Sequence, residues 1–206
     1  MKRRSRLSLL RNRVLADLRV VVERDPSVRG LPEAVLAPYL PALWLHRLAH
    51  PLYLRGHRST ARVMTLVGRM LSGGCDIHPG ARIGSGLFID HACAVVIGED
   101  AVLGSDVTLY HQVTLGAVGW WRDRTRPPGE RRHPTLGDGV VVGAGASVLG
   151  PVAVGDGAFI GAHALVTSEV PAGGRVLAAG GVLPRQSSAP PRRERPHGAA
   201  LDREPT

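Results

Sequence analysis

The chain has 206 residues, a formal net charge of +9 and a hydrophobic content of 44%. This length allows one ordinary domain, or a small domain joined to a repeat module, and the apolar content is sufficient for a buried core. No apolar run reaches the roughly 18 residues that a membrane-spanning helix needs, and the two cysteines form neither a disulfide framework nor a zinc-ligand pattern. We therefore expect a soluble, cytoplasmic protein without a membrane segment.

The positive charge is concentrated in arginine-rich stretches at both ends of the chain and in one stretch in the middle. No nucleic-acid recognition motif and no interleaved aromatic residues accompany these stretches. We therefore expect no nucleic-acid partner and interpret both ends as solvated. The middle cluster comprises Arg122, Arg124, Arg126, Arg131 and Arg132.

The first part of the chain, residues 1–74, has the pattern of a helical region. Apolar residues recur at three- and four-residue spacings over 7–24, which predicts a helix that ends before Pro26. Two further helices are predicted over about 33–49 and about 58–72.

Residues 75–171 follow a six-residue repeat. A period of six fits neither a helix nor a simple strand alternation, and it predicts short strands joined by tight corners, three to a coil, in a parallel β-helix. The fold class is therefore α+β. The aliphatic residues of the clearest run are Leu136, Val142, Val148, Val154, Ile160 and Val166.

One extruded loop, residues 116–135, interrupts the repeat and carries Trp120, Trp121 and the middle arginine cluster. Insertions in a solenoid project from one face, which is often the binding face. Residues 172–206 are interpreted as a C-terminal extension with a disordered basic tail from about residue 186. Because the flat faces of such a prism need a partner, we expect a homotrimer with sites between subunits.

Two histidines inside the repeat, His78 and His91, follow closely after the acids Asp76 and Asp90. A carboxylate beside an imidazole can hold one tautomer for general-base catalysis. The six-residue units that contain Asp76 (71–76) and His91 (89–94) lie one 18-residue coil apart, which predicts the same face for both residues with a three-residue offset along it. The alternative, that both histidines belong to a solvated polar row, stays open on spacing alone.

His133 ends the extruded loop directly after two arginines. This arrangement is typical of a lid whose cations bind an anionic substrate, since arginine suits bidentate carboxylate or phosphate binding. An ordinary solvated basic loop is the alternative interpretation.

Taken together, several motifs resemble those of the serine O-acetyltransferases, and the resemblance covers about residues 24–171. It implies a left-handed β-helix and transfer of acetyl from acetyl-CoA to the L-serine hydroxyl, which gives O-acetyl-L-serine for cysteine biosynthesis. The motifs are Arg24-Asp25-Pro26, Asp76-Ile77-His78-Pro79, Ile89-Asp90-His91-Ala92, Gly98-Glu99 and Arg132-His133-Pro134.

The resemblance also implies roles for individual residues. His91 corresponds to the general base and Asp76 to its orienting partner. The amino-acid pocket corresponds to Asp25, Asp90, Arg132 and His133, and the acetyl-CoA groove to Ala117, Gly143 and Ala144. No metal is implied. Because the helical part is short, a trimer is expected rather than a hexamer. The chain ends in Glu204-Pro205-Thr206 instead of the isoleucine that docks into cysteine synthase, so that complex is not expected.

Three other interpretations remain open. The Trp-Trp-Arg loop favours a different hydroxyl acceptor, such as another amino acid, a sugar or a secondary metabolite. A metal-dependent hydratase resembling the γ-class carbonic anhydrases would draw on His78, His91, His111 and His133, although a close histidine pair is missing from the repeat. A non-catalytic trimeric scaffold is the third. His46 and His50 are expected on a helix surface.

Overall fold

The structure is a computed structural model that describes residues 6–127 and 129–179. The basic tail predicted from about residue 186 lies outside these residues. The described part consists of a helical region followed by a parallel β-helix, as the α+β pattern predicts.

The helical region contains α1 (Arg6–Arg24), α2 (Leu31–Ala34), α3 (Leu40–Leu54) and α4 (Arg58–Leu71). The single helix predicted over 33–49 is wrong, because α2 ends at Ala34 and α3 begins at Leu40. Pro41 lies in the first turn of α3, where its missing N–H is not needed by the helix. Gly68 lets α3 and α4 approach closely, since an added Cβ would lie 3.0 Å from Cα of Ala42.

The β-helix has three faces, each a parallel sheet. Sheet A contains β1 (Asp76–Ile77), β4 (Val96–Ile97), β7 (Thr114–Gly116), β10 (Ser147–Leu149) and β13 (Leu165–Val166). Sheet B contains β2 (Arg82–Ile83), β5 (Val102–Leu103), β8 (Thr135–Leu136) and β11 (Ala153–Val154). Sheet C contains β3 (Phe88–Asp90), β6 (Thr108–Tyr110), β9 (Val141–Val142), β12 (Phe159–Ile160) and β14 (Arg175–Val176). A short helix, α5 (Trp120–Asp123), lies in the extruded loop between β7 and β8.

The coils differ in length, as the eight-residue step between the aliphatic residues Ile89 and Ile97 indicates in the sequence. Ile77 pairs with Ile97, so the first coil takes 20 residues, whereas Ile97 pairs with Leu115 after 18. The extra residues lie in the corner after β3, where His91 and Ala94 both have left-handed backbone conformations. At the other end, β14 pairs with β12 and continues sheet C past residue 171.

The interior of the prism is filled by the aliphatic residues of the repeat, one from each strand. A fully buried residue of this size contributes about 1.5–3 kcal/mol through the hydrophobic effect. Such a thin core needs no large aromatic residues, which agrees with the aromatic content of 4%. The most buried members include Ile77, Ile97, Leu109, Leu115, Leu136, Val142, Val148 and Ile160.

The helical region packs against the first coil through buried polar contacts. Arg47 forms an ion pair of 2.7 Å with the fully buried Asp17 and donates a 3.3 Å hydrogen bond to the carbonyl of Gly84. His46, expected on a helix surface, is instead buried, and its Nε2 lies 3.1 Å from the Ala81 carbonyl. None of the helices in the described residues is long and apolar enough to cross a membrane.

Candidate active site

The predicted site residues lie along two edges of the prism that flank sheet A. At one edge the chain passes from sheet C to sheet A, through corners that follow β3, β6 and β9. We call this the His91 edge. At the other edge the chain leaves sheet A after β1, β4 and β7, and here a cavity of about 310 Å³ opens. We call it the Arg132 cavity.

The His91 edge begins with an exposed imidazole beside a carboxylate. His91 follows β3 with φ of 52°, and 79% of its side chain is exposed. Its Nε2 lies 3.8 Å from Oδ1 of Asp90, the last residue of β3. The ring of His111, at the next corner along the same edge, lies edge-on to the ring of His91, with 6.0 Å between the two centroids. An accessible imidazole held among polar groups is suited to proton transfer.

A second carboxylate reaches this edge from the helical region. Asp25 directly follows α1, and its Oδ1 accepts hydrogen bonds from the Ser27 hydroxyl at 2.6 Å and the Ser27 N–H at 2.9 Å. These two bonds lower the pKa of Asp25, and the charge of His91 contributes in the same direction. The edge therefore combines the His91 imidazole with the carboxylates of Asp25 and Asp90. The negative charges of the two carboxylates suit the binding of an ammonium group.

Two of the three residues expected to contact acetyl-CoA lie further along the same edge. Gly143 and Ala144 follow β9, and the neighbouring Gly145 N–H donates a 3.0 Å hydrogen bond to the His111 carbonyl. Gly143 has a packing reason to be glycine, because an added Cβ would lie 2.5 Å from the Ala162 nitrogen of the next coil. Ala117 follows β7, at the opposite edge of sheet A.

The Arg132 cavity combines cationic and acidic side chains from three parts of the chain. Helix α4 supplies two arginines, seven residues apart and therefore on one helix face, which the sequence interpretation missed. The strands of sheet A and the end of the extruded loop supply the rest. The charged residues and histidines that line it are Arg62, Arg69, Asp76, His78, Glu99, Arg132 and His133.

Arg132 is held by a chain of polar contacts. Its Nη2 forms an ion pair with Glu99, whose other oxygen accepts a 2.5 Å hydrogen bond from the Tyr53 hydroxyl. The hydrogen bond from Tyr53 is the main cause of a lowered Glu99 pKa, so this side chain is ionised at neutral pH. Neither Tyr53 nor Glu99 had an assigned role from the sequence.

His133 is fixed by a carboxylate that follows β4. Its Nδ1 donates a hydrogen bond to Asp100, which also accepts a 2.8 Å bond from the Arg132 N–H. Burial alone would raise the pKa of Asp100, but these hydrogen bonds outweigh it and the pKa is lowered. Gly98 must lack a side chain here, because an added Cβ would overlap the His133 ring.

His78 lies in the cavity wall rather than in a solvated row. Its Nδ1 accepts a 3.0 Å hydrogen bond from the Gly80 N–H, and its ring packs edge-on against Tyr53 with 5.4 Å between centroids. Burial lowers its pKa to about 4, so His78 is neutral at physiological pH.

Asp76 and His91 do not share a face of one chain, and the predicted register is wrong. Asp76 lies on β1 of sheet A and forms a 3.2 Å ion pair with Arg69, whereas His91 follows β3 of sheet C. The reason is that the two residues are 15 positions apart, three short of an 18-residue coil, so His91 falls at the end of the sheet C strand that precedes the next strand of sheet A. One chain therefore places Asp25, Asp90 and His91 at one edge and Asp76, Arg132 and His133 at the other. Among residues 6–127 and 129–179, no group of three or more His, Cys, Asp or Glu side chains could hold a metal ion.

Comparison with known proteins relates this arrangement to one family of enzymes. Residues 133–168 match the bacterial transferase hexapeptide (six repeats) family. The serine acetyltransferase of Mycobacterium tuberculosis is 47% identical over 176 residues, which cover 85% of this chain and 73% of that protein. The Helicobacter pylori (strain J99) enzyme of the same name is 47% identical over 160 residues, covering 77% and 89% respectively.

Solved structures agree with the sequence relatives. Neisseria gonorrhoeae serine acetyltransferase in complex with serine superimposes with a TM-score of 0.72 at 38% identity, covering 82% of this chain and 66% of that one. Soybean serine acetyltransferase complexed with serine gives a TM-score of 0.74 at 39% identity, covering 82% and 67%. This chain thus spans about two thirds of these solved chains. The expected left-handed β-helix fold and the expected family are confirmed, and the chain belongs to the serine acetyltransferase family.

Proposed function

We propose that the protein transfers the acetyl group of acetyl-CoA to the hydroxyl of L-serine, giving O-acetyl-L-serine and free CoA. Family membership supports the reaction. The observation that carries the proposal is the grouping of an exposed imidazole with two carboxylates at the His91 edge, and of an arginine with a histidine in the Arg132 cavity. The product would serve cysteine biosynthesis.

In the proposed reaction, His91 takes the proton from the serine hydroxyl as that oxygen attacks the thioester carbon. The carbon–sulfur bond of the tetrahedral intermediate then breaks, and His91 returns the proton to the leaving sulfur. Asp25 and Asp90 would bind the serine ammonium, while Arg132 and His133 would bind its carboxylate. Backbone N–H groups after Leu115 are candidates to stabilise the oxyanion.

The site would form between two subunits of a homotrimer. Two halves of the predicted site lie at opposite edges of sheet A, and a ring of three chains would place one edge of each subunit against the other edge of its neighbour. The Asp76 of one subunit would then orient the His91 of the next. An exposed apolar face of α4 supports a contact with another copy of the chain. Its five large apolar residues are 42–74% exposed in one chain: Val63, Leu66, Val67, Met70 and Leu71.

The long arm of acetyl-CoA would lie along the His91 edge. Gly143 and Ala144 lie further along this edge, at the corner after β9, where neither residue carries a large side chain. Ala117 would contact the same molecule from the opposite edge of a neighbouring subunit. The cytoplasmic location stays a prediction.

The proposal is tested by measuring thiol release from acetyl-CoA by the purified protein, with L-serine and with a panel of other hydroxyl compounds. L-Homoserine, L-threonine and a hexose form a suitable panel. We expect serine-dependent release on the order of 1–10³ s⁻¹. Release with another acceptor, but not with serine, would contradict the serine assignment and favour the alternative suggested by the exposed Trp120 and Trp121 of the extruded loop.

A further inference from the structure

The extruded loop contains one acidic side chain that turns back into the protein. Trp120 and Trp121 of α5 are 68% and 58% exposed, whereas the side chain of Asp123, on the same short helix, is only 12% exposed. Its Oδ2 lies 3.6 Å from Nη1 of Arg132, and its Oδ1 lies 3.5 Å from Nε of Arg126. The loop is therefore connected to the Arg132 cavity through Asp123.

This contact places the Arg132 guanidinium between two carboxylates. Glu99, which follows β4, pairs with Nη2, while Asp123 approaches Nη1 from the loop. A single carboxylate would leave the planar guanidinium free to rotate about that contact. Carboxylates at both Nη1 and Nη2 restrict this rotation. Arg126 balances the second negative charge. The orientation of Arg132 thus depends on both the β-helix and the loop.

We propose that Asp123 is a positioning residue, which orients Arg132 for the carboxylate of the acceptor and so gives the extruded loop a part in selecting amino-acid acceptors. This inference rests on the proposed function, because it assumes that Arg132 binds that carboxylate. Asp123 acts only through Arg132 and touches no reacting atom.

A purely structural role for Asp123 predicts a different result. If the ion pair only attached the loop to the prism, its loss would lower thermal stability and affect both substrates alike. A positioning role predicts a selective loss of serine affinity, because only the orientation of Arg132 changes. The two roles are therefore separated by the Michaelis constants for the two substrates.

The test uses the full chain and the variant Asp123→Asn, which keeps the shape and removes the charge. We expect the KM for L-serine to rise about 3- to 10-fold, with kcat, the KM for acetyl-CoA and the melting temperature nearly unchanged. Asp123→Glu is expected to restore part of the serine affinity. Arg124→Ala is the matched control, since Arg124 lies in the same loop and its guanidinium carbon lies 5.3 Å from the ring centroid of Trp120.

A second comparison shows whether the effect passes through Arg132. The Arg132→Lys variant lacks the planar guanidinium that Asp123 orients. Adding Asp123→Asn to this variant is therefore expected to change the KM for serine by less than about twofold. An unchanged KM in the single variant, or the same change in both backgrounds, would overturn the inference. If the unaltered protein releases no thiol with serine, the proposed function fails first, and this inference fails with it.

Discussion

Arg24, the last residue of α1, donates a 2.7 Å hydrogen bond to the hydroxyl of Thr108 on β6. The same guanidinium donates a 3.1 Å bond to the carbonyl of Asp106, so the end of the helix is attached both to β6 of sheet C and to the corner that precedes it. Asp25 is the next residue, and His91 follows the neighbouring strand β3 of the same sheet. Arg24 therefore sets where Asp25 lies relative to His91.

Replacement of Arg24 should loosen this attachment. For Arg24→Ala we expect the KM for L-serine to rise about 3- to 10-fold and the free energy of unfolding to fall by about 1–2 kcal/mol, because two hydrogen bonds to the sheet are lost. Arg19→Ala, at an exposed position of the same helix, is the control and should leave both values unchanged. Equal effects from both variants would show that Arg24 has no special role.

The general base is tested by His91→Ala. We expect kcat for serine-dependent thiol release to fall by about 10²–10⁴-fold, since a positioned general base contributes that much. The melting temperature should not change, because the side chain is 79% exposed in the single chain. His57→Ala, another exposed histidine, should retain full activity. Turnover by His91→Ala at the unaltered rate would rule out this mechanism.

The buried ion pair between Asp17 and Arg47 should matter for stability rather than for catalysis. Asp17→Ala leaves the Arg47 charge without this partner in a buried position, which typically costs about 3–5 kcal/mol. Urea unfolding measures the loss. Glu23→Ala removes an exposed acid from the same helix and should change the free energy of unfolding by less than about 0.5 kcal/mol. A small loss for Asp17→Ala would indicate that water reaches Arg47.

Stability should also fall in mild acid because of His46. Burial lowers its pKa to about 3 from 6.5, so between these values the unfolded chain binds a proton that the folded chain does not. The free energy of unfolding should therefore decrease as the pH falls from about 7 towards 3. His46→Gln cannot titrate and should show a weaker decrease between pH 7 and 5 in urea unfolding. The same slope in both proteins would contradict the assignment to His46.

The strands and the prism core could be predicted from the sequence, because the six-residue repeat is a local property. Ile77, Leu115 and Val148 each fill the interior as the repeat predicts. The longer first coil is also visible in the sequence, because the step from Ile89 to Ile97 is eight residues instead of six. The spacing does not encode the backbone of that corner, where His91 and Ala94 adopt left-handed conformations. The register of Asp76 and His91 was wrong because the two residues are 15 positions apart, which is not a whole 18-residue coil.

The second half of the candidate site was harder to predict, because its partners come from distant segments. The Glu99–Arg132 pair joins residues 33 positions apart, and Tyr53 reaches Glu99 from the helical region. Nothing local in the sequence indicates such contacts. Two weaker signals were present: the seven-residue spacing of Arg62 and Arg69, which places both on one face of α4, and Asp123, one of two acids in the arginine-rich loop.

The central claim is that one active site needs two subunits, and mixing two inactive variants tests it most directly. Asp76→Ala keeps His91, and His91→Ala keeps Asp76. When the two are unfolded together in equal amounts and reassembled, about one quarter of the sites in a random trimer should receive both intact residues. We predict that serine-dependent thiol release returns to about a quarter of the unaltered rate, while each variant treated alone stays inactive. No recovery in the mixture, with full recovery of the unaltered protein after the same treatment, would contradict a site shared between subunits.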